Sequence, residues 1–552
     1  MKNHFKTIFL SFSAILLVQS CAHKAEDADL IVHNAHIYSL DETNTVYEAM
    51  AIKDGKIIEL GPERQILNKY RSKEQFDAGK NYIYPGFIDA HGHLLGYGQL
   101  MLQCDLTGTN SLEEVLSKVE KFGAKSSSAV VYGRGWDQND WQNKQFPDNV
   151  KLSQLFPDRP VVLSRIDGHA VLVNNKALEL AGVDASTSVE GGDFIKNADG
   201  KLTGVLIDNA IERVLGSLPV QTDDEIRRAL ETADRDLVSY GITTVSDAGV
   251  DKSVVDVMHA LMKDGSFKLR VYAMMRPTAA NLEYYSVNGP YKDDRLNIRS
   301  FKFMADGALG SWGACLKEPY HDAALPGHRG KMTVSLDELR DAADLLNESG
   351  FQVNTHCIGD SANKAVLSIY AEILGDMNDK RWRIEHAQIL DTADINYFFR
   401  YSIIPSVQPT HAISDMPWAE NRIGASRMIG AYAYRTLLNT NGWIALGTDF
   451  PVEHPDPLMT FFAAVFRKDR KGNPADGFLI NERLSREEAL RGMTIWAAKS
   501  NFEEDEKGSL EKGKFADFVV LNQDLLNVRE KDFFKTQVNA TYINGERVYS
   551  YK

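Results

Sequence analysis

The sequence predicts an α/β protein built around a (β/α)8 barrel, with an inserted subdomain and a small β-domain formed by both chain ends. Three observations favour this class. Apolar strand-like runs alternate with helix-like stretches in the middle of the chain, eight such runs can be counted, and both ends show hairpin patterns instead. Near-continuous apolar strands separated by helices indicate a parallel sheet, and eight of them are typical of a barrel.

The N-terminus is predicted to be a signal sequence over residues 1–20 that is not part of the fold. Lys2 and Lys6 precede an apolar run over residues 8–18. The run is shorter than the ~20 residues that a membrane-spanning helix needs. The sequence Val18-Gln19-Ser20-Cys21 resembles a bacterial lipobox. That resemblance implies cleavage before Cys21 and lipidation of its thiol, with residues 21–29 as the tether. The alternative is a secretory signal followed by a chance cysteine.

A lipid anchor predicts a place in the cell envelope of a bacterium. Ala22, rather than an aspartate, follows the cysteine, and by resemblance to known lipoproteins this favours the outer membrane, facing the periplasm. The membrane would be contacted through the lipid anchor only, because no later stretch of the sequence is long and apolar enough to cross a bilayer. A small-molecule substrate is the other expected partner, and a homodimer stays open.

Both chain ends are expected to form strands of one β-domain. The first part covers residues 30–84 and contains a hairpin whose tight turn is Asp54-Gly55; the second covers residues 501–552 and contains a hairpin around Asn544-Gly545. Single strands are expected at 31–38, 82–88 and 515–521.

The barrel is predicted within residues 85–500. Its strands are expected at 86–91, 242–246, 269–275, 298–305, 351–356, 383–387, 403–407 and 443–448. About 150 residues separate the first two runs, far more than the ~2–6 residues of an ordinary βα loop. We therefore predict that residues from about 96 to 233 form an inserted subdomain.

Composition excludes several classes of protein. The 62 basic and 76 acidic side chains give a formal net charge of −14, which disfavours a nucleic-acid binder and electrostatic docking on anionic lipid. The 4 cysteines lie far apart without a CxxC pair, which argues against a disulfide framework or a thiolate metal site.

Polar side chains lie at the ends of several predicted strands, where a barrel places its active site. They are His91, His93, Lys302, His356, His386 and Asp449. The first two are two residues apart on an extended strand and therefore point the same way. Imidazole nitrogens suit Zn²⁺, Ni²⁺ or Fe²⁺. Each residue alone has an ordinary structural explanation, but their joint placement predicts a metal centre.

Longer motifs carry a family resemblance over the chain from about residue 30 onward. The segments PGFIDAHGH (85–93), RIEHAQ (383–388), LGTDFPV (446–452) and GSLEKGKFADFVVLN (508–522) resemble the metal-dependent amidohydrolase superfamily. The segments GWDQNDW (135–141), DGHAVLVNNKAL (167–178), KFMADGALGSWGA (302–314) and THCIGDSAN (355–363) are similar to its amidohydrolase-3 branch, which includes N-substituted formamide deformylases. The resemblance implies a (β/α)8 TIM barrel plus a small β-sandwich built from both chain ends.

The resemblance also implies roles for the six polar residues. His91 and His93 would bind a more buried divalent metal, with zinc as the first choice, and His356 and His386 would bind a second. Asp449 would touch the first metal and the attacking water, taking its proton and passing it to the leaving nitrogen. Lys302 lies where members with two metals carry a carboxylated lysine that bridges both; if it is unmodified, a one-metal site is expected.

Three further residues have weaker indications. His169 lies in the predicted insert, and by resemblance it would contact the substrate or the oxyanion as a catalytic residue. Trp136 is either a wall of the substrate site or a packing residue of the insert. His411 follows the seventh predicted strand and is placed for substrate contact.

The predicted function is hydrolysis of a carbon–nitrogen bond other than a peptide bond, in an amide, formamide or cyclic amide. Deamination or ester hydrolysis on the same fold stays open, since fold does not determine substrate. The alternatives from other classes are a catalytically silent binding or sensory lipoprotein and a solute-binding partner of a transporter. The complete set of predicted ligands favours the enzyme.

Overall fold

The computed structural model of the chain describes residues 25–165, 168, 170–189, 192–323 and 326–551. The predicted signal sequence, the lipidation site at Cys21 and residues 22–24 of the predicted tether lie outside the described residues. Within the described ranges, none of the helices combines the length and the apolar composition that crossing a membrane requires.

The described part of the chain begins with nine short strands and one helix. They are β1 (Glu26–Asp27), β2 (Leu30–His33), β3 (His36–Tyr38), β4 (Val46–Tyr47), β5 (Ala49–Lys53), β6 (Lys56–Gly61), α1 (Glu63–Lys69), β7 (Tyr70–Arg71), β8 (Glu74–Asp77) and β9 (Tyr82–Pro85). The predicted turn at Asp54-Gly55 joins β5 to β6, and both of its residues have positive φ, 51° and 74°. A two-residue hairpin turn with both φ angles positive matches the twist of the strands it joins.

The first barrel strand and a second sheet follow. The barrel strand is β10 (Phe87–Gly92), and α2 (Leu94–Met101) comes after it. The elements of the second sheet and its helices are β11 (Cys104–Asp105), α3 (Leu112–Gly123), β12 (Val131–Trp136), α4 (Val150–Leu155), β13 (Val161–Arg165), β14 (Ala170–Val173), α5 (Asn175–Leu180), β15 (Gly192–Lys196), β16 (Leu202–Asp208) and α6 (Asn209–Leu215). This six-stranded sheet has the order β11-β12-β13-β14-β16-β15 and interrupts the barrel between its first two strands.

The barrel then continues through seven more parallel strands. Its remaining elements are α7 (Asp223–Leu237), β17 (Ile242–Val250), α8 (Lys252–Asp264), β18 (Arg270–Met275), α9 (Ala279–Asn288), β19 (Tyr291–Lys292), β20 (Leu296–Met304), α10 (Leu336–Glu348), β21 (Gln352–Cys357), α11 (Asp360–Leu374), β22 (Arg383–His386), α12 (Asn396–Arg400), β23 (Ile404–Val407), α13 (Pro409–Asp415), α14 (Ala419–Ile423), α15 (Tyr434–Asn441), β24 (Ala445–Leu446), α16 (Pro457–Phe466), α17 (Arg486–Gly492) and α18 (Ile495–Ser500).

The barrel strands follow the order β10-β17-β18-β20-β21-β22-β23-β24, with β19 pairing antiparallel to β20. A parallel bridge between Gly92 and Phe450 brings the last strand back to the first. Every one of the predicted barrel runs overlaps one of these strands, so the predicted fold class is confirmed. The helix α7 buries Ile226, Leu230 and Leu237 in the main core of the barrel.

The C-terminal strands complete a sandwich with those of the N-terminus. They are β25 (Phe518–Leu521), β26 (Val538–Ile543) and β27 (Glu546–Ser550). One sheet has the order β27-β26-β25-β9-β3-β4 and the other β6-β5-β2-β8. Apolar side chains from both, among them Val32, Ile52, Ile83 and Phe518, share one buried cluster. Both chain ends therefore build this domain, as predicted.

A buried ion pair joins the sandwich to the barrel. Nε of Arg270, the first residue of β18, donates to Oδ2 of Asp517 at 2.6 Å, and both side chains are buried. Because Arg270 begins its strand, this joint lies toward the N-terminal end of the barrel strands, away from the end where barrel active sites are built.

Candidate functional site

The C-terminal ends of the barrel strands bring the predicted polar residues together. The imidazole ring centroids of His91 and His93 lie 5.5 Å apart, those of His91 and His386 4.9 Å, and those of His356 and His386 4.6 Å. Asp449 follows β24 and faces the same space. The structure thus gathers side chains from β10, β21 and β22 and the loop after β24 in one cluster.

His91, His93 and Asp449 form the first donor group of this cluster. Oδ1 of Asp449 lies 3.1 Å from Nε2 of His93 and 3.6 Å from Nε2 of His91. One donor atom from each of the three residues lies within 4.8 Å of the other two. For comparison, two ligands of a tetrahedral ion with bonds of about 2.0–2.1 Å are about 3.3 Å apart.

Local sequence explains why the first strand presents its histidines here. A Cβ on Gly92 would lie 2.3 Å from the ring of Phe450, so that only glycine lets the two segments meet. Asp89 then ties the segments together, because its Oδ1 accepts from the backbone N–H of both His91 and Thr448 at 3.0 Å. The hydroxyl of Thr448 also donates to Oδ2 of Asp89, at 2.7 Å.

A buried carboxylate orients His91. Nδ1–H of His91 donates to Oε2 of Glu385 at 2.7 Å, and both side chains are fully buried. Nη1 of Arg383 lies 3.8 Å from the other oxygen of Glu385. A carboxylate on Nδ1 sets the tautomer and turns Nε2 toward the centre of the cluster, an arrangement that is common behind metal-binding histidines.

The structure adds His411, for which the sequence indicated only a substrate contact. His411 lies in α13, and its Nε2 is 3.1 Å from Oδ2 of Asp449, while its Nδ1 is 3.3 Å from Oε1 of Glu453. With His386 and Asp449 it forms a second group whose donor atoms lie within 4.8 Å of one another. Burial opposes charge on His411, but hydrogen bonds to the two carboxylates outweigh it and raise its pKa to about 10.

Asp449 is the residue that the two donor groups share. Burial alone would raise its pKa, but hydrogen bonds with His411 and His93 and the nearby His91 and His386 hold that pKa well below its usual range. The carboxylate is therefore ionised. It also adopts a left-handed backbone conformation, with φ of 65°, a state that is costly for a residue other than glycine and is often found at functional sites.

His356 supplies a free nitrogen at the edge of the cluster. Among the described residues its Nε2 is buried without a hydrogen-bond partner, and Oδ1 of Asp306 lies 3.5 Å away. Burial and the neighbouring Lys302 lower the pKa of His356 to about 3. The ring is therefore neutral and keeps a lone pair, which is the state that binds a cation.

Lys302 reaches the cluster from β20. Its side chain is buried, and its Nζ lies 3.5 Å from Nε2 of His91 and 3.7 Å from Sδ of Met304. Burial lowers the pKa of Lys302, against the opposing influence of the Glu385 and Asp449 carboxylates. The geometry places Lys302 beside the first donor group.

The donor set fits a divalent transition metal. Imidazole nitrogens and one carboxylate are ligands that zinc and its neighbours accept. The unpartnered Nε2 of His356 is a buried polar atom that a bound cation would satisfy. In the first group, two contacts of 3.1 and 3.6 Å also bracket the ligand spacing of a tetrahedral ion.

Of the other predicted residues, Trp136 stands apart from the cluster, and two lie outside the described residues. Trp136 lies in the core of the inserted sheet, 1% exposed, and its Nε1 donates to the carbonyl oxygen of Leu163 at 2.7 Å. Its ring is not accessible to a substrate, so the structure supports the packing interpretation and corrects the predicted substrate contact. His169 and Cys21 lie outside the described residues.

Comparison with known proteins shows which family this chain is similar to. Residues 74–549 match the amidohydrolase family. The protein YtcJ of Bacillus subtilis (strain 168), whose name places it provisionally among amidohydrolases, is 32% identical over 530 residues, 94% of this chain and 99% of that protein. An N-substituted formamide deformylase of Arthrobacter pascens is 24% identical over 543 residues, 94% of this chain and 97% of that enzyme.

The solved structures agree with the sequence comparison. An uncharacterized metal-dependent hydrolase from Pyrococcus horikoshii OT3 superimposes with a TM-score of 0.79 at 25% identity, over 91% of this chain and 99% of that one. The sequence match covers most of the chain, and the histidine–aspartate cluster lies at the end of the barrel where such enzymes act. The chain therefore belongs to the amidohydrolase family and is a metal-dependent hydrolase that acts on amide or related carbon–nitrogen bonds.

Proposed function

We propose that the protein hydrolyses a small amide, formamide or cyclic amide, rather than a peptide, at a divalent metal held by His91, His93 and Asp449. The observation that carries this proposal is the buried, ionised Asp449, whose Oδ1 lies 3.1 Å from His93 and 3.6 Å from His91. The name of the Arthrobacter pascens relative, N-substituted formamide deformylase, supports the formamide as the first substrate class to test.

The residues of the site have different roles in the proposed hydrolysis. When bound, the divalent cation supplies a Lewis acid that acidifies water and polarises a carbonyl oxygen. Asp449 is placed to take the proton from the attacking water and to give it to the leaving nitrogen. Glu385 holds His91 in one tautomer throughout, and Gln408 holds His386 by accepting from its Nδ1 at 2.8 Å. In this proposal His169 contacts the substrate or its oxyanion.

The finer assignments are part of the same proposal. Zinc is the first metal to test, because the donor set is rich in imidazole. Carboxylation of Lys302 is favoured by burial, which lowers its pKa and so increases the share of neutral amine that can add CO₂. Anchoring through a lipidated Cys21 in the outer membrane, facing the periplasm, is proposed from the sequence.

The test combines metal content with turnover. The purified protein is assayed by elemental analysis and screened against N-acyl, N-formyl and cyclic-amide compounds, with Asp449→Asn as the test variant and the exposed Asp505→Asn as its matched control. We expect at least one equivalent of metal, and turnover that Asp449→Asn lowers by about 10²–10⁴-fold and Asp505→Asn keeps. A protein that holds no metal after incubation with Zn²⁺ and bicarbonate would contradict the proposal.

A further inference from the structure

Arg276 lies at the mouth of the barrel, directly after β18. Tyr272 of that strand donates its hydroxyl to Oε1 of Gln352 at 2.9 Å, and Gln352 belongs to β21, which does not adjoin β18. This face of β18 therefore points into the barrel. Because alternate residues of a strand share one face, Arg276 continues the inward row of Tyr272 and Met274 beyond the C-terminal end of the strand.

The strand register places Arg276 beside Lys302. Met275 and Phe301 are partners across β18 and β20, so that the next residues of the two segments lie side by side. A Cβ added to Gly249 would lie 3.8 Å from Cγ of Arg276 and 4.0 Å from Cγ of Lys302, and the two side chains therefore start next to each other. Since Lys302 reaches the donor cluster, Arg276 is one strand spacing, about 4.8 Å, from a residue of that cluster.

The guanidinium of Arg276 is accessible and weakly paired. Its side chain is 59% exposed, and its Nη1 donates at 3.2 Å to Oδ2 of Asp251, which is itself 38% exposed. Oδ1 of Asp251 accepts from Nδ2 of Asn281 at 3.3 Å, so that this carboxylate keeps a partner when Arg276 turns away. Exposed ion pairs contribute little to stability, and an anionic group of a substrate can therefore replace Asp251.

The surroundings of Arg276 suit an organic acid. A guanidinium binds a carboxylate through two parallel N–H···O hydrogen bonds. On the neighbouring strand Met304 is 49% exposed, and its Sδ lies 3.7 Å from Nζ of Lys302. The mouth of the barrel thus offers a charged donor and an apolar side chain on adjacent strands, which together fit a carboxylate that is attached to an apolar group.

We propose that Arg276 binds a carboxylate of the substrate, so that the preferred amide belongs to a molecule that also carries a carboxylate, with N-formyl and N-acyl amino acids as the class. The inference rests on the proposed function, because the scissile carbonyl must lie at the donor cluster for Arg276 to reach a carboxylate a few bonds away. In this role Arg276 determines specificity and orients the substrate, and it takes no part in proton transfer.

The experiment compares N-formylleucine with N-formylleucinol, in which a hydroxymethyl group replaces the carboxylate, as substrates of the full protein loaded with Zn²⁺. We expect the wild-type protein to favour the acid by about 10–100-fold in kcat/KM, because the alcohol lacks the charged hydrogen bonds. Arg276→Met should remove this preference, mainly through KM, and Arg276→Lys should keep part of it. The matched control is Arg227→Met on α7, which should keep the preference, since Arg227 is also partly exposed and pairs with Asp264 at the same distance, 3.2 Å.

A variant of the ion-pair partner gives a prediction of opposite sign. Asp251→Asn removes the competing carboxylate and should lower KM for N-formylleucine by about two- to fivefold. If the ion pair between Arg276 and Asp251 had only a structural role, KM would stay unchanged or rise, and that result would overturn the inference.

The substrate pair also separates this inference from the proposed function. The inference is overturned if the wild-type protein hydrolyses the acid and the alcohol equally well, if the preference survives Arg276→Met, or if Arg227→Met removes it as well. A wild-type protein that hydrolyses other amides but not N-formylleucine would overturn this inference alone. A protein that holds no metal and hydrolyses no amide would also remove the proposed function.

Discussion

Replacement of Glu385 offers the sharpest test of how the site is organised. The Glu385 carboxylate is fully buried and accepts a hydrogen bond of 2.7 Å from Nδ1 of His91. In Glu385→Gln the amide oxygen can still accept that hydrogen bond but lacks the negative charge, and in Glu385→Ala the buried N–H loses its partner. Removing such partners of metal ligands weakens metal affinity by about 10–100-fold, which corresponds to about 1.4–2.7 kcal/mol.

We therefore expect about tenfold weaker zinc binding in Glu385→Gln and about a hundredfold weaker binding in Glu385→Ala, measured by competition with a chromophoric chelator. The control is Glu503→Gln, because Glu503 is also buried but pairs with Lys507 at 2.9 Å and contacts Asn297 near the start of β20. That variant should lose stability and keep its metal affinity. Zinc affinity within twofold of wild type in a folded Glu385→Ala protein would refute the role of Glu385.

The remaining predictions address proton transfer, packing and pH dependence. Asp449→Asn should lower kcat by about 10²–10⁴-fold in steady-state kinetics, because the amide cannot take the proton of water; unchanged turnover would remove Asp449 from proton transfer. Trp136→Ala should lower the free energy of unfolding, measured with urea, by about 3–5 kcal/mol and leave KM within about twofold of the wild-type value. A raised KM without lost stability would instead support a contact between Trp136 and the substrate. Burial raises the pKa of Asp234 to about 6. Between about pH 4 and pH 6 the folded state therefore binds more protons than the unfolded state. The contribution of Asp234 to the free energy of unfolding falls as pH rises through that range. Relative to wild type, Asp234→Asn should therefore gain up to about 3 kcal/mol from pH 4 to pH 6, and a difference that does not change with pH would contradict this reasoning.

Much of the fold could be predicted because it is encoded locally. Strand runs such as 351–356 are apolar over a whole strand length, and the positive φ angles required at Asp54 and Gly55 suit those residue types. His91 and His93 were predicted to act together for the same reason, since two-residue spacing on a strand places both side chains on one face.

Contacts between distant segments could not be predicted in this way. His411 is the third residue of α13, and its place after a predicted strand indicated only a substrate contact; it meets Asp449 because the barrel closes. Trp136 shows the converse: its motif left a substrate wall and a packing role both open, and the structure buries the ring in the core of the inserted sheet, with 1% of the residue exposed. Glu385 is next to His386 in the chain, yet its carboxylate accepts a hydrogen bond from His91, which lies on another barrel strand.

The sequence by itself determined the barrel, the small β-domain built from both chain ends and the metal-binding character of the site, because hydrophobic periodicity and residue type are local properties of the chain. Only the tertiary structure decided which nitrogen faces which oxygen. The distance from His411 to Asp449, 3.1 Å, and that from His91 to Glu385, 2.7 Å, join segments 38 and 294 residues apart. Such distances depend on how strands close into a ring and how side chains pack within it, and no local pattern in the chain carries that information.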